Sequence, residues 1–332
     1  MFKKLVFSAV CLTFVVVIVG AYVRLQDAGL GCPDWPGCYG HWVGVPDQTD
    51  EIARAAQTFP DRPVEAHKAW QEMFHRYIAG ALGVLIFAIM VASWLRQREL
   101  RQSPLLPTVI VALVAVQATL GMWTVTMLLK PVIVTLHLLG GMATLGLLTW
   151  LALRQTALPP AGAGAQRLRP WALLGMAVVI CQIALGGWVS SNYAALVCLD
   201  FPACHGAWVP AMDFRHGFQF VRELAMTATG EPLVPEALTA IHWTHRLGAL
   251  ITFIYVWALA LALMRTAGFT RCGAVLAILL VAQLSLGIAN VLPTLPLAVA
   301  VAHNGGAAVA VVGGGGSRDR DLPDRARRLV FR

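Results

Sequence analysis

Apolar residues gather into long runs along this chain, separated by stretches in which polar residues, glycine and proline dominate. The runs cover 5–22, 77–95, 105–129, 132–153, 171–190, 247–264, 272–292 and 297–312. A bilayer core needs about 20 apolar residues per helix, so each run reads as a spanning helix, the last being the shortest. Two long polar stretches, 23–74 and 191–243, interrupt the runs. Each closes with a proline suited to a helix first turn, Pro63 and Pro235. The second and sixth helices are therefore expected to start in these loops and run down into the apolar phase.

The pattern repeats. Cys32 and Cys38 recur as Cys198 and Cys204, an offset of 166 (198 − 32). Gly20-Ala21-Tyr22-Val23 is matched by Gly186-Gly187-Trp188-Val189, and Trp42-Val43 by Trp208-Val209. Gln117-Ala118-Thr119-Leu120-Gly121 returns as Gln283-Leu284-Ser285-Leu286-Gly287, and His137 as His303. His75-Arg76 returns as His245-Arg246, with the offset lengthened to 170 (245 − 75). The expected architecture is an all-α integral membrane protein with eight transmembrane helices. They form two tandem four-helix bundles related by pseudo-two-fold symmetry, an even helix number giving both the same orientation. Residues 1–153 make the first half and 171–312 the second. The Pro/Gly/Ala-rich stretch 154–170 is an irregular linker, and 313–332 is a Gly/Arg-rich tail.

Composition agrees. The 332 residues are 58% hydrophobic and 13% charged, against about 25% charged in soluble domains. The net charge of +8 does not point to nucleic acid, because the cations sort by side. Lys3, Lys4, Arg96, Arg98, Arg101, Arg154, Arg167, Arg169, Arg265 and Arg271 fall in the terminus and short loops of one face. This positive-inside bias puts both termini in the cytoplasm and the long loops outside, in the periplasm of a bacterial inner-membrane protein. Lys3-Lys4 and the apolar core after them resemble a signal peptide, but no A-x-A cleavage site follows, so the segment is read as retained.

Four histidines occupy duplicated places near the outer ends of their helices: His75 and His137, then His245 and His303. Bundles build cofactor sites from side chains on facing helices. A pair of neutral imidazoles aimed at one centre suits heme iron. Glycines at 140–141 and 305–306 would let a flat macrocycle approach the backbone. For a single histidine the alternative is an interhelical hydrogen bond with glycines for close packing. Four in duplicated positions favour the metal-cofactor reading. Arg76 and Arg246 follow a histidine directly, where a guanidinium would pair with a porphyrin propionate or snorkel as an interfacial anchor.

The cysteine pairs Cys32/Cys38 and Cys198/Cys204 lie in the outer loops, with a gap too long for ordinary structural zinc. Two intraloop disulfides are expected in an oxidising compartment, a labile redox role being the alternative. The halves differ three residues before the first histidine of each, Glu72 against His242. A carboxylate beside a cofactor can move protons or stabilise charge, whereas its ordinary role would be an i,i+4 partner for Lys68. The asymmetry marks the first half as the reaction site.

With these residues assembled, the chain resembles the heme A synthase family of membrane proteins. The resemblance rests on Arg24, Gly29-Leu30-Gly31-Cys32-Pro33-Asp34-Trp35-Pro36, Glu72-x-x-His75-Arg76, His137, His245-Arg246 and His303. It implies an oxidoreductase that converts a methyl group of heme O to a formyl group by successive hydroxylation, giving heme A for cytochrome oxidase. It also implies heme b held by His245 and His303, heme O received at His75 and His137, and Glu72 near the reacting group. Heme O synthase and cytochrome oxidase assembly factors are the implied partners, with an electron donor the sequence does not identify. Two other readings use the same histidines: a diheme b-type electron-transfer cytochrome, and a heme-carrying assembly factor. The tail departs from the family pattern and has the look of a frame-shifted reading frame.

Overall fold

The computed structural model describes residues 1–100, 102–156, 163–292 and 294–314. Among them there is no strand, only isolated bridges in the loops, and helices account for the architecture. The long ones are α1 (Phe2–Leu25), α2 (Ala66–Leu95), α3 (Leu105–Thr126), α4 (Pro131–Arg154), α5 (Ala163–Ser191), α6 (Pro235–Met264), α7 (Thr270–Val291) and α8 (Leu297–Gly314). Seven of these, α1 to α7, are long and apolar enough to cross a membrane. The eighth run is a shorter apolar helix over Leu297–Ala310, so eight full-length spans are not what the described residues contain. Val84, Phe87, Ile254 and Ile278 face outward from the spans, where hydrocarbon rather than water suits them.

Helix α1 packs against α2 and α4, and α3 against α2 and α4. In the second half α6 packs against α5 and α7, and α8 against α7 and α5. The halves meet where α4 touches α5 and α8, and where α1 touches α8. Glycines allow this approach: a side chain on Gly187 would press on Leu138 and Thr135 of α4, and one on Gly305 on Ile18 of α1. Polar clasps join the halves near the loops, Thr135 Oγ1 with Ser191 Oγ at 3.1 Å and Lys130 with Glu223 at 2.8 Å.

Some left-handed backbone positions recur at the sequence offset of 166. Positive φ recurs at Asp27 and Tyr193, Tyr39 and His205, Leu128 and Thr294, and Leu129 and Leu295. None is glycine, and non-glycine residues enter this region only where surrounding structure demands it. In the first half the best-packed core joins Val6 and Ala9 of α1, Ile86 and Ile89 of α2, Ile110 of α3 and Leu148 of α4. These residues close the bundle away from the long loops and leave its loop end free for a cavity.

Two expectations about helix starts change. Pro235 opens α6 as expected, but Pro63 lies outside α2, which begins at Ala66 behind the N-cap Glu65. The Pro63 carbonyl is instead the acceptor for Tyr39 Oη, 3.0 Å away. The stretch expected as an irregular linker to residue 170 is already helical from Ala163, with Pro170 inside α5. Alanine, glutamine, leucine and arginine favour helix strongly enough to carry it through one lost hydrogen bond. The tail expected at 313–332 lies outside the described residues from 315 onward.

Candidate heme-binding site

Both disulfide loops are built alike. Cys32 and Cys38 are bonded at 2.07 Å, and Cys198 and Cys204 are bonded likewise. Within the first loop Asp34 accepts the backbone N–H of Tyr39 (2.6 Å) and Gly40 (2.8 Å). Asp200 does the same for His205 and Gly206, both at 2.8 Å. Cys198, Cys204 and His205 crowd within 4.8 Å, but both thiols are spent on the disulfide.

The arginines that follow the histidines hold these loops down. Arg76 Nη1 donates to the carbonyls of Asp34 (3.1 Å), Pro36 (3.2 Å) and Gly37 (2.5 Å). Arg246 donates to those of Asp200 (2.9 Å), Ala203 (2.8 Å) and Cys198 (2.9 Å). Any propionate contact made by either guanidinium is made alongside these. Glu72 is 5% exposed and serves the same clamp. Its Oε1 accepts Arg76 Nη2 at 2.5 Å and its Oε2 accepts the Cys32 N–H at 3.0 Å. Lys68, the ordinary partner considered for it, pairs with Glu65 instead. In the second half the corresponding contact is Arg246 Nε to His242 Nε2, 3.3 Å.

Each of the four histidines is received by a glycine on the neighbouring helix. A Cβ added to Gly20 of α1 would lie 2.9 Å from His75 Cε1, and one on Gly121 of α3 would lie 3.4 Å from His137 Cε1. The second half repeats this at 3.1 Å from Gly186 to His245 and 3.2 Å from Gly287 to His303. Gln117 Nε2 donates to the His137 carbonyl (2.8 Å) and Gln283 Nε2 to that of His303 (2.7 Å). Gly140 and Gly306, expected to admit a macrocycle, make room for these two glutamines. Gly141 does line the cavity described next.

A cavity of about 650 Å³ opens at the loop end of the first half, lined by His75 and His137 together with Glu72, Arg76 and Arg24. That volume lies within the usual range for small-molecule sites, about 300–1,000 Å³. Its wall is mostly apolar, with Val17, Leu82, Val114 and Leu138, and carries a few further polar side chains such as Gln117 and Thr144. Gly187, Ser190 and Asn304 come from the second half. The Nδ1 atoms of His75 and His137 are buried without hydrogen-bond partners, which leaves Nε2 as the nitrogen turned to the cavity. Two imidazoles presenting Nε2 into one apolar chamber fit axial ligation of heme iron, a role Nε2 could not fill if it were itself spent on an interhelical hydrogen bond. In the second half His245 and His303 are electrostatic neighbours, and His303 Nδ1 is again buried without a partner. The halves differ here too: Gln182 Nε2 lies 3.1 Å from His245 Nδ1, and no group among the described residues is within hydrogen-bond reach of His75 Nδ1.

The residues singled out in the sequence thus converge in the first half, where Glu72, His75, Arg76 and His137 share one chamber. Gly20, Gly121, Gln117 and Arg24 were visible only as repeated or matching letters, with no role attached.

Comparison with known proteins assigns the family. Residues 3–312 match the COX15-CtaA family, described as cytochrome oxidase assembly protein. The chain is 45% identical to a heme A synthase of Shewanella oneidensis over 300 residues, covering 90% of this chain and 89% of that one. It is 29% identical to a heme A synthase of a Caulobacter species, covering 91% of each. It is 27% identical to one of Halalkalibacterium halodurans, over 70% of this chain and 72% of that protein. With a family match spanning almost the whole chain and a near-full-length relative at this identity, the protein belongs to the COX15-CtaA family of cytochrome oxidase assembly proteins.

Proposed function

We propose that the protein is a multi-pass membrane oxidoreductase that converts heme O to heme A, with the first-half cavity as its substrate site. The observation that carries this reading is one apolar chamber into which His75 and His137 both turn, with the Glu72 carboxylate in its wall. His75 and His137 bind the substrate iron and fix the macrocycle, and the apolar wall excludes water from the methyl group to be oxidised. Glu72 stands at the rim to take or hold a proton as the substituent gains polarity. Arg76 keeps Glu72 and the disulfide loop over the chamber, and the pairs Cys32–Cys38 and Cys198–Cys204 keep each loop compact.

His245 and His303 hold a resident heme b, which supplies one-electron chemistry when bound. Gln182 and Gln283 fix the orientation of that pair. The eight helices act as two four-helix bundles with the boundaries given above, in a bacterial inner membrane with the disulfide loops in the periplasm. Heme O synthase and cytochrome oxidase assembly factors are the partners on either side of the reaction. Co-expression with heme O synthase, followed by heme extraction and chromatography, tests the reading. Heme A or a hydroxylated intermediate is expected, and heme B with heme O alone would refute it.

A further inference from the structure

Two guanidinia line the first-half cavity, Arg24 and Arg76. Both terminal nitrogens of Arg76 are committed, Nη1 to loop carbonyls and Nη2 to Glu72. Arg24 is differently placed. Its Nη2 donates to the Ser190 carbonyl of α5 at 2.6 Å, and its plane lies over the Tyr193 ring with Cζ 4.0 Å from the centroid. Its Nη1 makes a long ion pair with Asp27, at 3.5 Å, beyond the usual 2.7–3.2 Å of an N–H···O bond, and its Nε is buried with no partner among the described residues. Asp27 is held elsewhere, by Tyr193 Oη at 2.9 Å. Arg24 lines the cavity and is anchored and stacked, and its Nη1, engaged only by the long contact to a largely exposed Asp27, is the donor it has left to offer a ligand.

Its height in the bundle is informative. Gly20, which receives the His75 ring, lies four residues earlier on α1, so Arg24 sits on the same face about 6 Å nearer the loops. A ligand held at His75 that carries an anionic edge toward the loops would bring that edge to Arg24. In the second half the same step from Gly186 arrives at Ser190, a residue without charge.

We propose that Arg24 is the carboxylate-binding residue of the first-half cavity, receiving a propionate of the tetrapyrrole substrate. This rests on the reading of His75 and His137 as its iron ligands. A carboxylate there makes a charge-assisted bond with the guanidinium fork while Ser190 and Tyr193 hold the guanidinium still. The same contact sets which way round the macrocycle lies, and so which methyl group is turned toward Glu72.

The full-length chain in detergent is titrated with iron protoporphyrin IX and, separately, with its dimethyl ester, following the Soret band. The component of interest is the one that His137→Ala removes. Esterification is expected to weaken binding of the unaltered chain roughly 10- to 100-fold, the scale of a hydrogen bond to a charged group. Arg24→Gln weakens the free acid by a similar factor and loses nothing further with the ester, whereas Arg24→Lys recovers much of the loss. A merely structural role for Arg24 would lower binding of acid and ester alike, and that result overturns the proposal. So does Arg24→Gln binding the free acid as tightly as the unaltered chain. If His137→Ala removes no part of the band, the ligand assignment itself has failed, and the proposal with it.

Discussion

Replacing Glu72 should loosen the first disulfide loop before it does anything to chemistry. The carboxylate is nearly fully buried and satisfies two donors at once, the Cys32 N–H and Arg76 Nη2. Arg76 has a side chain only 13% exposed, so Glu72→Ala strands a buried guanidinium edge and an amide. Breaking a buried ion pair from one side costs about 3–5 kcal/mol. Arg76 keeps its three carbonyl acceptors, which places the cost at the lower end. Glu72→Gln keeps an acceptor for Cys32 but turns its amide NH2 toward Arg76, losing the charge and one acceptor, about 1–3 kcal/mol. The penalty falls on opening of residues 26–65, since this loop is tied to α2 locally. Thermal unfolding of the purified chain and the rate of proteolysis within that loop measure it. Glu72→Ala is expected to speed cleavage strongly and Glu72→Gln modestly. A Glu72→Ala chain with unaltered thermal midpoint and protease resistance would refute the clamp. Heme A formation unchanged by Glu72→Gln would remove the proton-handling role.

Gly20→Ala and Gly186→Ala push a methyl group toward His75 and His245, and overpacking of this kind costs about 1–3 kcal/mol. Each should lower heme occupancy of its own half by visible spectroscopy. Gln117→Leu removes the bond to the His137 carbonyl and is expected to cost about 1 kcal/mol in thermal unfolding, with a weakened first-half heme band. The second loop should resist acid. The Gly206 and His205 amides hold the Asp200 carboxyl below its ordinary value of 3.8. Its contribution is therefore complete above that ordinary value and is lost only as pH falls through the lower folded one. Hydrogen exchange in residues 198–206 should stay slow down to about pH 4 and quicken below it, a dependence that Asp200→Asn abolishes.

The histidine pairs were legible because a repeating chain prints them twice: His75 and His137 stand out once His245 and His303 answer them. Spacing could not choose a partner for Glu72, since Lys68 and Arg76 both lie four residues away on the helix. The choice is made by the folded loop, whose Cys32 amide fixes one carboxylate oxygen and whose carbonyls draw Arg76 to the other. The same holds for the glycines. Gly20 and Gly121 repeat as clearly as any ligand, but what they receive depends on which helix lies opposite. The start of α5 was missed because glycine and proline around residue 160 outweighed the helix formers that follow.

Gly187, Ser190 and Asn304 stand in the wall of a cavity whose two histidines both belong to the other half. After a duplication, each copy is ordinarily free to drift or to be lost without consequence for its twin. Here the first-half cavity takes part of its enclosure from the second half. Changes in α5 and α8 therefore bear on the first-half cavity as well as on their own half, and a first half produced alone would lack that part of the wall. The pairing of unlike halves is kept by the shared wall.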